Sequence, residues 1–118
     1  MKIIVLIPVY NDWKSVFKLL DEINDLSLDN EFQLSILIVN DASNFDRQEI
    51  EKSFENINSI KILNMGKNLG HSRCIATGMK YIFEKEKFDY IIPMDGDGED
   101  RPEEIKIFLE KIKFFNEK

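Results

Sequence analysis

The chain has few residues of the kinds that build disulfides, zinc clusters or flexible linkers. Cys74 is the only cysteine and His71 the only histidine among 118 residues. One cysteine excludes an intrachain disulfide and a cysteine-based zinc site, and is typical of the reducing cytosol. Three prolines and five glycines form no linker or low-complexity tract. We therefore expect one domain over residues 1–118 of a cytoplasmic protein.

Long apolar runs and excess positive charge are also missing. No run approaches the roughly 20 apolar residues of a membrane span. The apolar start is short, ends at Pro8 and lacks a small-residue cleavage site, so it is interpreted as a buried strand rather than a signal peptide. The net charge of −6 argues against broad nucleic-acid binding, which requires a basic surface. We expect no nucleic-acid partner.

Strand and helix patterns alternate along the chain. Apolar, β-branched runs predict strands at residues 3–9, 34–39, 60–63 and 90–94. Helical spacing predicts helices after Asp12, near residues 48–54, at residues 72–86 and after Pro102. Such alternation predicts the α/β class, with helices on a parallel sheet of about four strands.

Two of these helices have predicted apolar faces. For the helix at 72–86 the face consists of Ile75, Met79, Ile82 and Phe83. For the last helix it consists of Ile105, Phe108, Leu109 and Ile112. The chain ends near Phe114 and Phe115, which leave apolar surface for a following segment or another subunit. A homo-oligomer through the C-terminal helix is one expectation.

Polar residues follow each predicted strand. They are Tyr10-Asn11-Asp12, Asn40-Asp41, the loop at 66–70 and Asp95-Gly96-Asp97. Ligands of parallel sheets bind beyond the carboxyl ends of the strands, so these residues are predicted to share one site. Closely spaced carboxylates favour a hard divalent cation. A solvated acidic turn that caps the last helix is the alternative, but the position directly after a buried strand favours a ligand site.

The residues at the strand ends resemble the motifs of family 2 glycosyltransferases. In chain order they are Pro8-Val9-Tyr10-Asn11-Asp12, Asn40-Asp41-Ala42-Ser43, Asn68-Leu69-Gly70 followed by Arg73, and Asp95-Gly96-Asp97. The run from Met94 to Glu104 is most similar to the polyprenyl-phosphate sugar transferase branch. Four motifs in the family's order, each after the expected strand, make the resemblance specific over nearly the whole chain.

The resemblance implies a Rossmann-like GT-A three-layer sandwich that binds a UDP- or GDP-linked sugar through Mn²⁺ or Mg²⁺. Donor-binding roles are implied for Pro8, Tyr10, Asp12, Asp41, Gly70, Arg73 and Asp95. The implied metal ligands are Asp95 and Asp97. A polyprenyl-phosphate acceptor would place the protein at the inner face of the membrane.

The sequence departs from the family pattern in two motif positions and in length. Asn40 replaces the first Asp of an Asp-Asp-Gly-Ser segment, and Ala42 replaces its Gly. Family members usually continue for about as many residues again. No catalytic residue is assigned in this chain, and the general base and acceptor site are expected in that further half.

Two other functions fit part of the pattern. One is a non-catalytic nucleotide- or metal-binding module. The other is a phosphoacceptor receiver domain, which needs a fifth strand with a lysine and leaves Asp97 without a role. Three side chains are assigned to packing or to no function: Trp13 and Cys74 are expected in the core, and His71 is interpreted as incidental.

Overall fold

A computed structural model describes residues 1–26, 28–43, 53–95 and 101–116. Its elements are β1 (Lys2–Val9), α1 (Trp13–Asn24), β2 (Gln33–Asn40), β3 (Ser59–Asn64), α2 (His71–Lys85), β4 (Tyr90–Pro93) and α3 (Glu103–Asn116). These confirm four predicted strands and three predicted helices. The helix predicted near 48–54 falls mainly outside the described residues, and Phe54, which is described, is not helical.

The strands form one parallel sheet in the order β3-β2-β1-β4. β1 lies between β2 and β4, and the chain crosses from β3 at one edge to β4 at the other. The strand order therefore reverses beside β1, which is where open parallel sheets bind ligands. In a receiver domain β3 would pair with β1, so this order contradicts that alternative.

Helices cover both faces of the sheet. Ile3, Val5 and Ile7 of β1 share a buried cluster with residues of α1 and α3. Ile4 and Leu6, on the other side of the pleat, pack in a second cluster with α2. Alternate residues of a strand point to opposite faces, so β1 is apolar throughout because both its faces are covered. The predicted three-layer α/β architecture is confirmed.

The predicted face of α2 is wrong in one respect. The helix buries Cys74, Gly78 and Ile82, whereas Phe83 is 66% exposed. A Cβ on Gly78 would lie 2.5 Å from Leu6 Cδ1, so the missing side chain allows α2 to approach the sheet closely. The prediction counted only large apolar residues, so it placed the buried face of α2 too far around the helix. The closest contact with the sheet is made by the smallest residues.

The predicted face of α3 is confirmed at three of four positions. Ile105, Leu109 and Ile112 are buried, but Phe108 is 43% exposed and packs edge-on against Tyr90. Among the described residues no helix is long and apolar enough to cross a membrane.

Candidate active site at the carboxyl end of the sheet

An open cleft lies at the carboxyl ends of the strands, where parallel sheets bind ligands. Eight described residues line it: Pro8, Val9, Tyr10, Asp12, Asp41, His71, Cys74 and Asp95. They come from the ends of β1, β2 and β4 and from the start of α2. The cleft therefore occupies the point where the strand order reverses.

Five of the eight residues that the sequence pattern selected line this cleft, and two others that the structure describes do not. Pro8, Tyr10, Asp12, Asp41 and Asp95 line it. Gly70 and Arg73 are not among the described lining residues; Gly70 is the N-cap of α2 and Arg73 is exposed in the first turn. Asp97 lies outside the described residues.

The end of β1 presents an aromatic ring and a carboxylate to the cleft. Pro8 is buried and Tyr10 is 46% exposed. Asn11 adopts a φ of 66°, a left-handed conformation that Asn tolerates better than most residues. This turn directs the chain from β1 into α1. Asp12 then caps α1, since its carboxylate accepts a hydrogen bond from Ser15 N at 3.2 Å.

Asp41 is the buried carboxylate of the site, at 4% exposure. Its Oδ1 accepts a hydrogen bond from Leu69 N at 2.8 Å, and its Oδ2 accepts one from Gly70 N at 2.9 Å. Asn68 Nδ2 donates to the Asp41 carbonyl at 3.2 Å. Asp41 therefore holds the Asn68-Leu69-Gly70 loop against the end of β2. The family resemblance alone had implied only a nucleotide contact for this residue.

Cys74 is buried and lines the same cleft as Asp41. Burial raises the pKa of the Cys74 thiol to about 12, and a hydrogen bond to the Asp41 carboxylate adds to the shift. The thiol therefore stays protonated at neutral pH and acts as a neutral donor to Asp41. The expected core position of Cys74 is confirmed, with this additional contact.

One of the two departures from the family motif, Asn40, has a structural explanation. Asn40 Nδ2 donates to Asn64 Oδ1 at 3.0 Å, and Asn40 Oδ1 accepts from Ser43 Oγ at 2.6 Å. An aspartate could accept from Ser43 but could not donate to Asn64. Ser43 Oγ in turn accepts from Asn11 N at 2.9 Å, which joins the loops after β1 and β2.

Ala42 occupies the glycine position of the motif with a φ of 55°. An L residue in this left-handed region costs on the order of 1 kcal/mol, and glycine avoids that cost. The backbone thus keeps the conformation that a glycine motif favours even though the residue has changed.

His71, which sequence reasoning set aside, is part of the cleft. Its Nε2 lies 3.0 Å from Asp95 Oδ1, and the two side chains are 55% and 58% exposed. The signal in the sequence was its position directly after Gly70 at the start of a helix. Only the strand order brings that helix start beside the end of β4.

Trp13, by contrast, packs in the core beside Phe17 as expected. No described partner accepts a hydrogen bond from its indole N–H.

The cleft has more negative than positive charge. Three carboxylates line it, and no lysine or arginine is among the described lining residues. Oxygen donors of this kind suit Mg²⁺ or Mn²⁺, which commonly use one or two carboxylates together with substrate phosphates. The described residues contain no group of three or more side chains that would hold a metal alone. Asp95 fits a cation shared with a bound diphosphate.

Known proteins resemble the chain in sequence and in fold. The family model "Glycosyl transferase family 2" matches residues 4–117. An uncharacterized protein of Methanocaldococcus jannaschii, MJ0544, is 29% identical over 115 residues, which is 96% of this chain and 48% of the relative. A dolichyl-phosphate beta-glucosyltransferase of Trichomonas vaginalis, ALG5A, is 27% identical over 92% of this chain and 34% of its own length. The chain spans about a third to a half of these curated relatives.

Solved structures show the same fold. The crystal structure of S. aureus TarS 1–349 in complex with UDP superposes with a TM-score of 0.68 at 20% identity, over 94% of this chain and 32% of that chain. The predicted GT-A-like fold is thereby confirmed. Since the family model covers nearly all of its residues, the chain belongs to Glycosyl transferase family 2.

Proposed function

We propose that the cleft binds the nucleoside diphosphate of a sugar nucleotide together with Mn²⁺ or Mg²⁺, as the donor site of a glycosyltransferase. One observation carries this proposal. Tyr10, Asp41 and Asp95 are far apart in the chain, yet all three line one cleft at the reversal of strand order. Membership of the glycosyltransferase family supports the same reading.

The nucleoside occupies the side of the cleft formed by β1 and β2. Tyr10 supplies an exposed ring for stacking on the base, and buried Pro8 forms the wall behind it. Asp12 and Asp41 accept hydrogen bonds from base N–H groups or ribose hydroxyls. Asp41 already accepts two backbone hydrogen bonds and one from the Cys74 thiol, which leaves about one of the lone pairs of its carboxylate for a ligand. The UDP complex of a protein with this fold makes UDP the first nucleotide to test.

The diphosphate occupies the side formed by α2 and the end of β4. Bare phosphates would be repelled by Asp95, so a divalent cation held by Asp95 and Asp97 offsets the charge. Such a cation neutralises negative charge that develops on the leaving phosphate. Gly70 and Arg73 flank His71 in the first turn of α2 and are assigned to the phosphate side.

The proposed reaction is inverting transfer of the sugar to an acceptor. A hydroxyl acceptor needs a base to remove its proton as it attacks the anomeric carbon, whereas an ionised phosphate acceptor attacks through an oxygen that carries no proton. We assign no residue of this chain to that role. The dolichyl-phosphate activity in the name of one relative supports a polyprenyl-phosphate acceptor. With that acceptor, the protein works in the cytoplasm at the inner face of a membrane.

Titration calorimetry with UDP, GDP and their sugar conjugates tests the proposal, each with Mn²⁺, with Mg²⁺ and with chelator. We expect binding that requires the cation and weakens in Tyr10→Ala and Asp95→Ala. Lys80→Ala, on the exposed side of α2, is the matched control. Absence of binding by every nucleotide with either cation contradicts the proposal.

A non-catalytic binding module is the second candidate. It predicts the same binding. Incubation with UDP-sugar and a polyprenyl phosphate separates the two, since only the enzyme releases UDP.

A further inference from the structure

His71 stands in the cleft without a role in the donor site described so far. Its Nε2 lies within hydrogen-bond distance of Asp95 Oδ1, at 3.0 Å. Both side chains are more than half exposed, and both line the cleft. An exposed pair of this kind contributes little to folding stability. The contact therefore affects the geometry of the cleft more than the stability of the fold.

The two carboxylates nearest α2 are held very differently. Asp41 is buried and fixed by backbone N–H groups of Leu69 and Gly70. Asp95 follows β4 by two positions and is exposed, and among the described residues its polar contact is His71. The contact with His71 therefore restrains the rotation of the Asp95 side chain.

Hydrogen bonds hold the backbone on which His71 lies. Gly70 N donates to Asp41, and Cys74 N donates to the Gly70 carbonyl at 3.1 Å. Gly70 has a φ of 95°, which only glycine adopts without strain, and the backbone turns there into α2. A continuous series of contacts thus joins buried Asp41 to exposed Asp95 through Gly70 and His71.

We infer that His71 is a positioning residue that orients the Asp95 carboxylate towards the cation and diphosphate of the donor. This rests on the proposed donor site. Outer partners that orient ligating groups commonly change metal affinity by about 10–100-fold when removed. Loss of His71 is expected to weaken cation-dependent nucleotide binding without lowering the stability of the fold.

The first experiment uses the ligand-free chain. The ring nitrogens of His71 are observed by ¹⁵N NMR in the parent protein, in Asp95→Ala and in Asp12→Ala. We expect Asp95→Ala to shift the His71 signals and Asp12→Ala, which removes a different carboxylate of the cleft, to leave them in place. Unchanged signals in Asp95→Ala overturn the inference.

The second experiment measures affinity for UDP with Mn²⁺ by calorimetry. His71→Ala is expected to bind about tenfold more weakly. His71→Gln places an amide N–H near the position of Nε2 and should restore binding to within about twofold, whereas the shorter His71→Asn should not. Lys80→Ala is the control on the same helix, and urea unfolding verifies that all variants remain folded.

The outcomes separate the inference from the function on which it rests. Binding by the parent chain but equal binding by His71→Ala overturns the positioning role alone. Failure of His71→Gln to restore binding overturns the hydrogen-bond account. No binding by the parent chain with either UDP or GDP overturns the donor site itself.

Discussion

The two ends of the sheet differ in whether lysines pair with their carboxylates. At the amino end, Glu86 is paired with Lys61 and with Lys2, the latter at 3.6 Å. Lys113 pairs with Asp29 at the same end. At the carboxyl end, by contrast, the partners of the carboxylates are backbone N–H groups, a thiol and a histidine.

This difference affects the charge that each group of carboxylates presents to its surroundings. The hydrogen bond from Lys61 lowers the pKa of Glu86, and the charges of Lys61 and Lys2 lower it further. The Lys113 hydrogen bond likewise lowers the pKa of Asp29. In the cleft, neutral donors satisfy the hydrogen bonds of Asp12 and Asp41 but leave their negative charge in place. That charge is available to a cation or to the N–H and O–H groups of a ligand.

The largest expected effect comes from removing the buried carboxylate of the cleft. Asp41→Ala leaves the N–H groups of Leu69 and Gly70 without their acceptor, and should lower the free energy of unfolding by about 2–3 kcal/mol. Urea denaturation measures the loss, and hydrogen exchange should accelerate at those two amides. A loss below about 0.5 kcal/mol would show that Asp41 is no more structural than a surface residue.

Asp12 allows capping and charge to be separated at the same end. Asp12→Ala removes the cap of α1 and should cost about 1 kcal/mol, while Asp12→Asn keeps an equally good cap. Thermal and urea unfolding compare the two variants. Under the proposed function both should weaken nucleotide binding, because both remove the negative charge. Equal stability of Asp12→Ala and the parent protein would contradict the capping role.

At the amino end, Glu86→Gln tests whether lysine pairing contributes to stability. Its side chain is 15% exposed, so we expect a loss of about 1 kcal/mol at neutral pH. The pKa of Glu86 is lowered in the folded state from an ordinary value of 4.5. The contribution is therefore present above pH 4.5 and disappears as the pH falls through the lower folded-state value. Unfolding curves of both proteins from pH 7 to pH 3 measure this contribution. A difference in unfolding free energy that grows in acid would contradict a stabilising role for ionised Glu86.

The smallest effect is expected at the exposed pair of Lys113 with Asp29. Both side chains are well exposed, at 39% and 44%, and solvent screens such pairs. Lys113→Ala should leave the urea midpoint unchanged within error, at low and at high salt. A clear loss of stability would show that lysine pairing matters even at the rim of the amino end.

Much of this arrangement was predictable from local sequence. The β-branched runs predicted the strands, and Asp12 before a helical pattern predicted the start of α1. Four polar clusters after four strands predicted a shared site, and five of the eight named residues line one cleft. Local signals succeed here because strand and helix periodicity and capping depend on neighbouring residues only.

The contacts between segments were beyond reach of the same reasoning. The role of His71 depends on α2 starting beside the end of β4, which follows from the strand order. The face of α2 was misassigned because the close approach at Gly78 to Leu6 is a property of the packed layers. Small residues give no hydrophobic signal in a sequence.

The sequence by itself determined the elements, their order and the chemical types collected at the strand ends. Only the tertiary structure decided that Asp41 anchors the loop before α2 and that Asp95 meets His71. The physical reason is distance along the chain. Asp41 and Gly70 are 29 residues apart, and their hydrogen bond forms only after the parallel strands have placed both segments at one edge of the sheet.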